Sequence, residues 1–404
     1  MFGFLLILLH ATDYGSFKTQ LWLFKNATLN GSCYTYTLQN GDVAYFSCSP
    51  EVQARVFDVY DNWRPAYGIL VALEPQTGRV IALLGYNRAD PDHPYNKNLV
   101  TQNTFPAASI FKIVTALAAI RKLELSPEDS VDYRGKPHST SPRVWLKSKY
   151  TGKCTFSEAF GWSNNPAFGA LAKEIGTSLL VSTAQALGFV KITAKDEPGD
   201  ASGLFGSDIL PGTVIKPRDR DELMLAGAGF MNSTLSPLHG ALLAASVANA
   251  GVMLKPSLVD SVVSKDGTVV WRARTETLAV VMTGAEAGMM KELFLATVAC
   301  GTSYRAFYDE TGKPVLDGVT AGGKTGTLTS RRSPEGKCEW FVGFGQDDES
   351  ILALASLVIN TSGKNKKARL KGSYPAEEAL EAFMGLDAPV PACALEKPVE
   401  KKKK

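Results

Sequence analysis

Residues 105–112 read Phe-Pro-Ala-Ala-Ser-Ile-Phe-Lys, and the stretch from Pro106 to Ile120, which is apolar on almost every side, is expected to be helical. A helix of that composition runs through a core rather than along a surface. Lys112 is the only charge between Pro106 and Ile120. On a helix, positions i and i+3 share a face, so Lys112 is expected one turn above the Ser109 hydroxyl. A lysine buried without a counter-ion loses affinity for its proton and becomes a usable base. Ser109 follows Pro106-Ala107-Ala108 and opens the helix, where the positive helix end favours a developing alkoxide. This is the only S-x-x-K in the chain. Taken alone, such a pair is more often a snorkelling lysine on a structural helix.

Working outward, residues 69–73 and 79–84 form two near-continuous apolar runs joined by a turn at 74–78, which suggests strands covered on both faces. Residues 155–190 have helical composition, broken at Gly176 and Gly188. Residues 238–250 predict a small-residue helix ending at Gly251, and 289–298 an amphipathic one. Residues 318–329, 339–345 and 351–359 predict three strands in succession, and 375–383 a last helix. Strands at both ends with helices between them point to an α/β fold: an antiparallel five-stranded sheet sandwiched by helices, with a helical subdomain inserted.

Two further elements are individually weak. Ser163-Asn164-Asn165-Pro166 lies 54 residues beyond Ser109, at a bend that suits a hydroxyl and an amide two positions apart. Lys324-Thr325-Gly326-Thr327 sits in a strand pattern after Gly322-Gly323, where glycine lets a ligand backbone come close. In this order the three elements resemble the penicillin-binding and serine β-lactamase superfamily, whose signature is S-x-x-K, S-x-N and K-T-G. Residues 105–112, Gly161-Trp162-Ser163-Asn164-Asn165, Leu235-Ser236-Pro237-Leu238, Ala248-Asn249-Ala250-Gly251 and Trp340-Phe341-Val342-Gly343-Phe344 look like the transpeptidase form. The resemblance covers roughly residues 66–385.

The resemblance implies a peptidoglycan D,D-transpeptidase that is inhibited by β-lactams and needs no metal or cofactor. Ser109 would attack the D-Ala-D-Ala carbonyl and Lys112 would take its proton. Ser163 would pass a proton towards the leaving group, helped by the field of Lys324. Asn165 would hold the substrate backbone, and Thr325, Gly326 and Thr327 would line the site of its terminal carboxylate. The backbone N–H groups of Ser109 and Thr327 would form the oxyanion hole, worth on the order of 3 kcal/mol per donor. A D,D-carboxypeptidase, a class D-like β-lactamase and a non-catalytic penicillin-binding sensor are the alternatives within the superfamily. No E-x-x-x-N follows Ser163, since Glu174, Glu197 and Glu222 each lack the asparagine, so no activator of a deacylating water is assigned. The implied partners are stem peptides, β-lactams and a separate glycosyltransferase, because the segment ahead of the domain is short for such a module. The implied place of action is the cell envelope, outside the cytoplasmic membrane.

Other function classes find little support. The net charge of +3 comes entirely from five Lys and two Glu between Glu396 and Lys404, so the body is neutral, which argues against nucleic acid. Residues 386–404 are expected to be a solvated, disordered Pro/Lys-rich tail. Six cysteines without a C-x-x-C and four scattered histidines give no metal pattern. Residues 318–325 satisfy the P-loop pattern G-x-x-x-x-G-K-[ST], but a P-loop needs a helix at its Lys-Thr, and Gly326-Thr327-Leu328-Thr329 propagates a helix poorly. No G-x-S-x-G exists for a hydrolase elbow. Residues 1–60 form a short leading region. The apolar run 2–9 is either a buried element or the remnant of a membrane anchor, being too short to span a bilayer. Residues 34–38 and 43–46 predict a hairpin about Asn40-Gly41, and a two-residue turn there would set Cys33 opposite Cys48 within disulfide reach.

Overall fold

The computed structural model describes residues 13–90, 97–193, 204–206, 208–361 and 370–385. The runs 69–73 and 79–84 become strands β1 (Tyr67–Leu73) and β2 (Val80–Asn87). The three later runs become β3 (Thr320–Ser330), β4 (Gly336–Gln346) and β5 (Ile351–Asn360). They assemble as one sheet in the order β3-β4-β5-β1-β2, every neighbour antiparallel. The first and last of these strands in chain order thus pair with each other inside the sheet.

The apolar runs are continuous because both faces are covered. Ile69, Val71, Leu73, Trp340, Val342, Ala353 and Ala355 point into one core, which contains the helix Pro237–Ala248. Their alternate neighbours Leu70, Ala72, Phe341, Leu352 and Leu354 point into a second, shared with the helices Pro50–Trp63 and Ser373–Met384. Period-two alternation between two apolar compartments leaves no polar position to mark the strand, so the sequence shows an unbroken run.

Helix boundaries follow their caps. Thr283 and Glu286 form a reciprocal capping box, so the helix expected from 289 starts five residues earlier and spans Gly284–Ala299. Gly176, at φ +83°, separates the helices Asn165–Ile175 and Thr177–Ala186. With Phe156–Gly161, Arg220–Ala228 and the small hairpin Ser130–Arg134/Thr151–Thr155, these helices form the inserted subdomain.

The helix expected from Pro106 is a different object. Phe105–Pro106 bridges to Thr234–Leu235, Ala108–Phe111 is a single 3-10 turn, and the α-helix runs only over Lys112–Leu123. Ala107 N–H is already committed to the Ser233 carbonyl, and Ala108 sits at φ +49°, which breaks any helical run through it.

The leading hairpin forms, but one residue out of the expected register. Leu38 N–H donates to Asp42 O and Gly41 N–H to Leu38 O, enclosing three residues rather than two, with Gly41 at φ +84°. Thr35 therefore faces Tyr45 and Thr37 faces Val43, which takes Cys48 out of line with Cys33. Cys48 is a buried free thiol hydrogen-bonded to Val80 O, and although Cys33 is disulfide-bonded, the Cys33–Cys48 bridge does not exist. The hairpin is completed into a five-stranded sheet by Thr28–Asn30 on one side and by Val259–Val263 and Val269–Arg272 on the other. The apolar run 2–9 and the tail 386–404 lie outside the described residues.

Candidate active site

The nucleophile turn is held from three sides. Trp340 of β4 donates its indole N–H to Pro106 O at 2.9 Å, and Ala107 N–H bonds Ser233 O at 2.8 Å. Gly229, at φ +93°, lies beneath: a Cβ there would fall 2.1 Å from the Ala108 carbonyl oxygen. Gly326 of β3 approaches from the sheet, where a Cβ would come within 3.3 Å of Ala107 O. These contacts leave Ser109 on a 3-10 turn with Lys112 as the first residue of the following helix. A 3-10 turn has three residues per turn, so i and i+3 eclipse, and the Ser109–Lys112 pair stacks more directly than α geometry would give.

Lys112 is fully buried, and its Nζ meets Ser109 Oγ at 2.8 Å, Asn165 Oδ1 at 2.8 Å, Ala228 O at 3.1 Å and Ser163 Oγ at 3.2 Å. None of the four is an anion. Burial first, and then the positive charge of Lys324, holds its pKa well below that of a free lysine. A neutral amine has two N–H groups and one lone pair. Asn165 Oδ1 and Ala228 O can only accept and so take both N–H groups, which leaves the lone pair for the Ser109 hydroxyl. The site is therefore complete with an uncharged lysine whose lone pair faces the nucleophile.

The other partners come from helix ends. Ser163 sits in the turn between Phe156–Gly161 and Asn165–Ile175 at φ +56°, in the left-handed region that serine rarely occupies. Asn164 caps the second helix by accepting from Ala167 N–H, and Asn165 opens it. Ala228 ends the helix Arg220–Ala228, so its carbonyl lacks an intrahelical donor and Lys112 supplies one.

Lys324 is in the middle of β3, paired with Val342, so no helix opens there and the P-loop reading is excluded. Its ammonium lies 5.3 Å from the Phe160 ring centroid and 3.2 Å from Thr325 O, and burial pushes its pKa down to about 7. Thr325 and Thr327 line a cleft of about 580 Å³ together with Ser109, Ser163 and Asn165. A larger cavity, about 750 Å³, lies on the inserted subdomain by Trp145 and Lys173 and touches none of these residues.

Several lining residues carried no signal in the sequence. Thr302 Oγ1 pairs with Thr325 Oγ1 at 2.5 Å, brought there by Gly301, whose Cβ would fall 2.3 Å from Gly161 O. Glu339, directly opposite Thr327 on β4, accepts the Thr327 hydroxyl proton at 2.7 Å and is ion-paired with Lys337. His138 and Lys371 stand at the rim. Only the register of β3 on β4, a tertiary fact, joins Glu339 to the K-T-G strand. Among the described residues no cluster of metal-ligating side chains occurs.

A buried lysine stacked on a turn serine, beside a five-stranded antiparallel sheet with an inserted helical subdomain, defines the class to which the sequence motifs pointed. A model of the penicillin-binding protein transpeptidase domain matches residues 68–383, and the chain belongs to that family. It is 26% identical over 349 residues to the peptidoglycan D,D-transpeptidase PbpA of Mycolicibacterium smegmatis, covering 76% of this chain and 65% of that protein. It is 24% identical over 323 residues to stage V sporulation protein D of Bacillus subtilis, covering 75% of this chain and 46% of that protein. The chain thus spans under two thirds of these curated relatives. Among solved structures, the imipenem acyl-enzyme complex of penicillin-binding protein A from M. tuberculosis superposes with a TM-score of 0.65 at 22% identity, over 85% of this chain and 80% of that one. The D,D-transpeptidase domain of a peptidoglycan glycosyltransferase from Eggerthella lenta gives 0.65 at 21% identity, over 90% of each chain. At such identities the solved structures show a shared fold.

Proposed function

We propose that this chain is a peptidoglycan D,D-transpeptidase working through an ester on Ser109, as the name of its mycobacterial relative states for that protein. The observation that carries the reading is the fully buried Lys112 with Nζ 2.8 Å from Ser109 Oγ and no anion among its partners. Lys112 takes the hydroxyl proton as Ser109 Oγ bonds to the carbonyl carbon of the penultimate D-alanine. The tetrahedral oxyanion is held by the N–H groups of Ser109 and Thr327. When the C–N bond breaks, the proton on Lys112 passes through Ser163, 3.2 Å away, to the departing amine of the terminal D-alanine. An acceptor amine then attacks the ester and the same proton path runs in reverse.

Lys324 supplies positive potential beside this path, and Asn165 holds the substrate backbone. The Thr325–Thr302 hydroxyl pair and Gly326 receive the terminal carboxylate. Thr327, whose proton is committed to Glu339, contributes there chiefly through its backbone. Stem peptides from glycan strands polymerised by a separate glycosyltransferase are the substrates, β-lactams acylate the same serine, and the site of action is the cell envelope outside the cytoplasmic membrane. No described helix is long and apolar enough to cross a membrane.

In the class A β-lactamases a carboxylate activates the deacylating water. Glu339 is the one acidic side chain among the described residues lining the cleft, and it is engaged by Thr327 and Lys337. That observation speaks against a class A-like β-lactamase, and the partition of the ester between amine and water separates a transpeptidase from a carboxypeptidase. Incubation with a D-Ala-D-Ala peptide and an amino acceptor should yield the cross-linked product in excess over hydrolysed peptide. Hydrolysis alone, with no cross-link at any acceptor concentration, would contradict the assignment.

A further inference from the structure

The Asn165 carboxamide can serve Lys112 only with its oxygen towards the amine. Nothing in the carboxamide itself fixes that orientation, because oxygen and NH2 are nearly the same size. The orientation is set from the other end: Asn165 Nδ2 donates to the Ser139 carbonyl at 3.2 Å. Ser139 lies on the surface segment between Gly135 and Pro142, where Lys136, His138 and Thr140 are exposed, so its own position needs fixing.

Trp145 fixes it. The indole is 3% exposed, and its Nε1–H points at Ser139, 2.9 Å from Oγ and 3.2 Å from the carbonyl oxygen. The Ser139 hydroxyl proton goes to Lys136 O at 2.7 Å, so Oγ is free to accept from the indole. Two glycines make room for the ring: a Cβ on Gly169 would fall 2.7 Å from it and one on Gly135 3.3 Å. Trp145 packs in a small apolar cluster with Met224 and Ala228, and none of its polar atoms reaches Lys112. It is tied to that lysine by an unbroken path of hydrogen bonds, Trp145 to Ser139 to Asn165 to Lys112.

We infer that Trp145, acting through Ser139, is a positioning residue that sets the Asn165 carboxamide and thereby the proton affinity of Lys112. The inference rests on the acyl-transfer reading and adds to it a residue outside the three motifs. Without the indole N–H, Ser139 drifts and Asn165 can present its NH2 instead. Lys112 then loses an acceptor that an ammonium needs more than an amine does, so its proton affinity falls. The charged group facing Lys112 from the packed elements is Lys324 on β3; His138, Lys337, Glu339 and Lys371 stand around the cleft, and none of them is substituted in the variants.

The test is the pH profile of acylation by a fluorescent penicillin, wild type against Trp145→Phe, which keeps the packed ring and deletes the donor. Misorienting Asn165 should lower the plateau rate about tenfold, the size of one lost hydrogen bond. The acid limb should move to lower pH by about half a unit. A merely structural role would lower the melting temperature or the plateau and leave the limb where it is, and that result overturns the inference. Should Trp145→Phe fail to fold, replacing Trp145 by benzothienylalanine, which keeps the bicyclic ring and has no N–H, should move the limb in the same direction; an unmoved limb there overturns it equally. No labelling of the wild type at all would sink the acyl-transfer reading and this inference with it.

Discussion

A lysine in a dry site costs stability, and two of the described lysines, Lys112 and Lys324, are fully buried. The folded pKa of Lys324 is about 7 against 10.5 for the free side chain, so the unfolded chain binds more protons between those values. The contribution of Lys324 to stability is therefore least favourable at and below pH 7 and improves towards pH 10.5. Lys324→Met should stabilise the fold at pH 6 by on the order of a few kcal/mol and by progressively less as pH approaches 10, read by urea denaturation at each pH. An advantage that did not shrink with pH would contradict the assignment. Removing the base by Lys112→Ala should slow acylation by a penicillin about 100- to 10,000-fold while the protein stays folded, since no counter-ion is orphaned. Both lysines were legible as unusual because each is a lone charge in an apolar or Gly-rich run. Their partners divide in two. Asn165 was legible from its S-x-N spacing. Ala228 O and the Phe160 ring were not, because a helix-end carbonyl and a core aromatic reach the lysines only through tertiary packing.

Elements fail or succeed here at their ends. The main-sheet strands were legible as unbroken apolar runs, whereas the Thr283–Glu286 capping box sets its helix start five residues ahead of the one expected at 289. The nucleophile turn was misread as helix from Pro106. What overrides helical propensity there is the pull of Ala107 towards Ser233 and of Pro106 towards Trp340, neither of which is local. Gly229 is the element-level key to that turn. Gly229→Ala would pay about 1–2 kcal/mol for its left-handed φ alone and would push its Cβ against Ala108 O. Acylation by a penicillin should fall by more than the loss in stability explains; stopped-flow acylation rates that match wild type in the still-folded variant would show that the turn does not depend on this contact. The hairpin register was lost for a similar reason: Asn40-Gly41 marks a turn but does not distinguish a two-residue loop from the three-residue one closed by Leu38 and Asp42.

At the scale of the whole molecule, residues 13–63 are built into the body. Gln20, 2% exposed, accepts from both Leu258 N–H (2.6 Å) and Val259 N–H (3.3 Å). Arg79 joins the β1–β2 turn to Asp260 at 3.0 Å and to Glu74 at 3.1 Å. Gln20→Ala would leave two buried N–H groups without an acceptor and should cost about 1–3 kcal/mol in urea unfolding, with penicillin acylation unchanged. A neutral result would mean that water replaces the amide. None of this long-range pairing was legible, because no local pattern ties residue 20 to residue 258. The central claim, however, concerns one serine in the intact chain, and intact-protein mass spectrometry after exposure to benzylpenicillin tests it most directly. The account predicts a single adduct of one penicilloyl group, located on Ser109, persisting for minutes and absent from Ser109→Ala. An adduct that survives Ser109→Ala, or wild-type protein that gathers no adduct while the drug is intact, would contradict it.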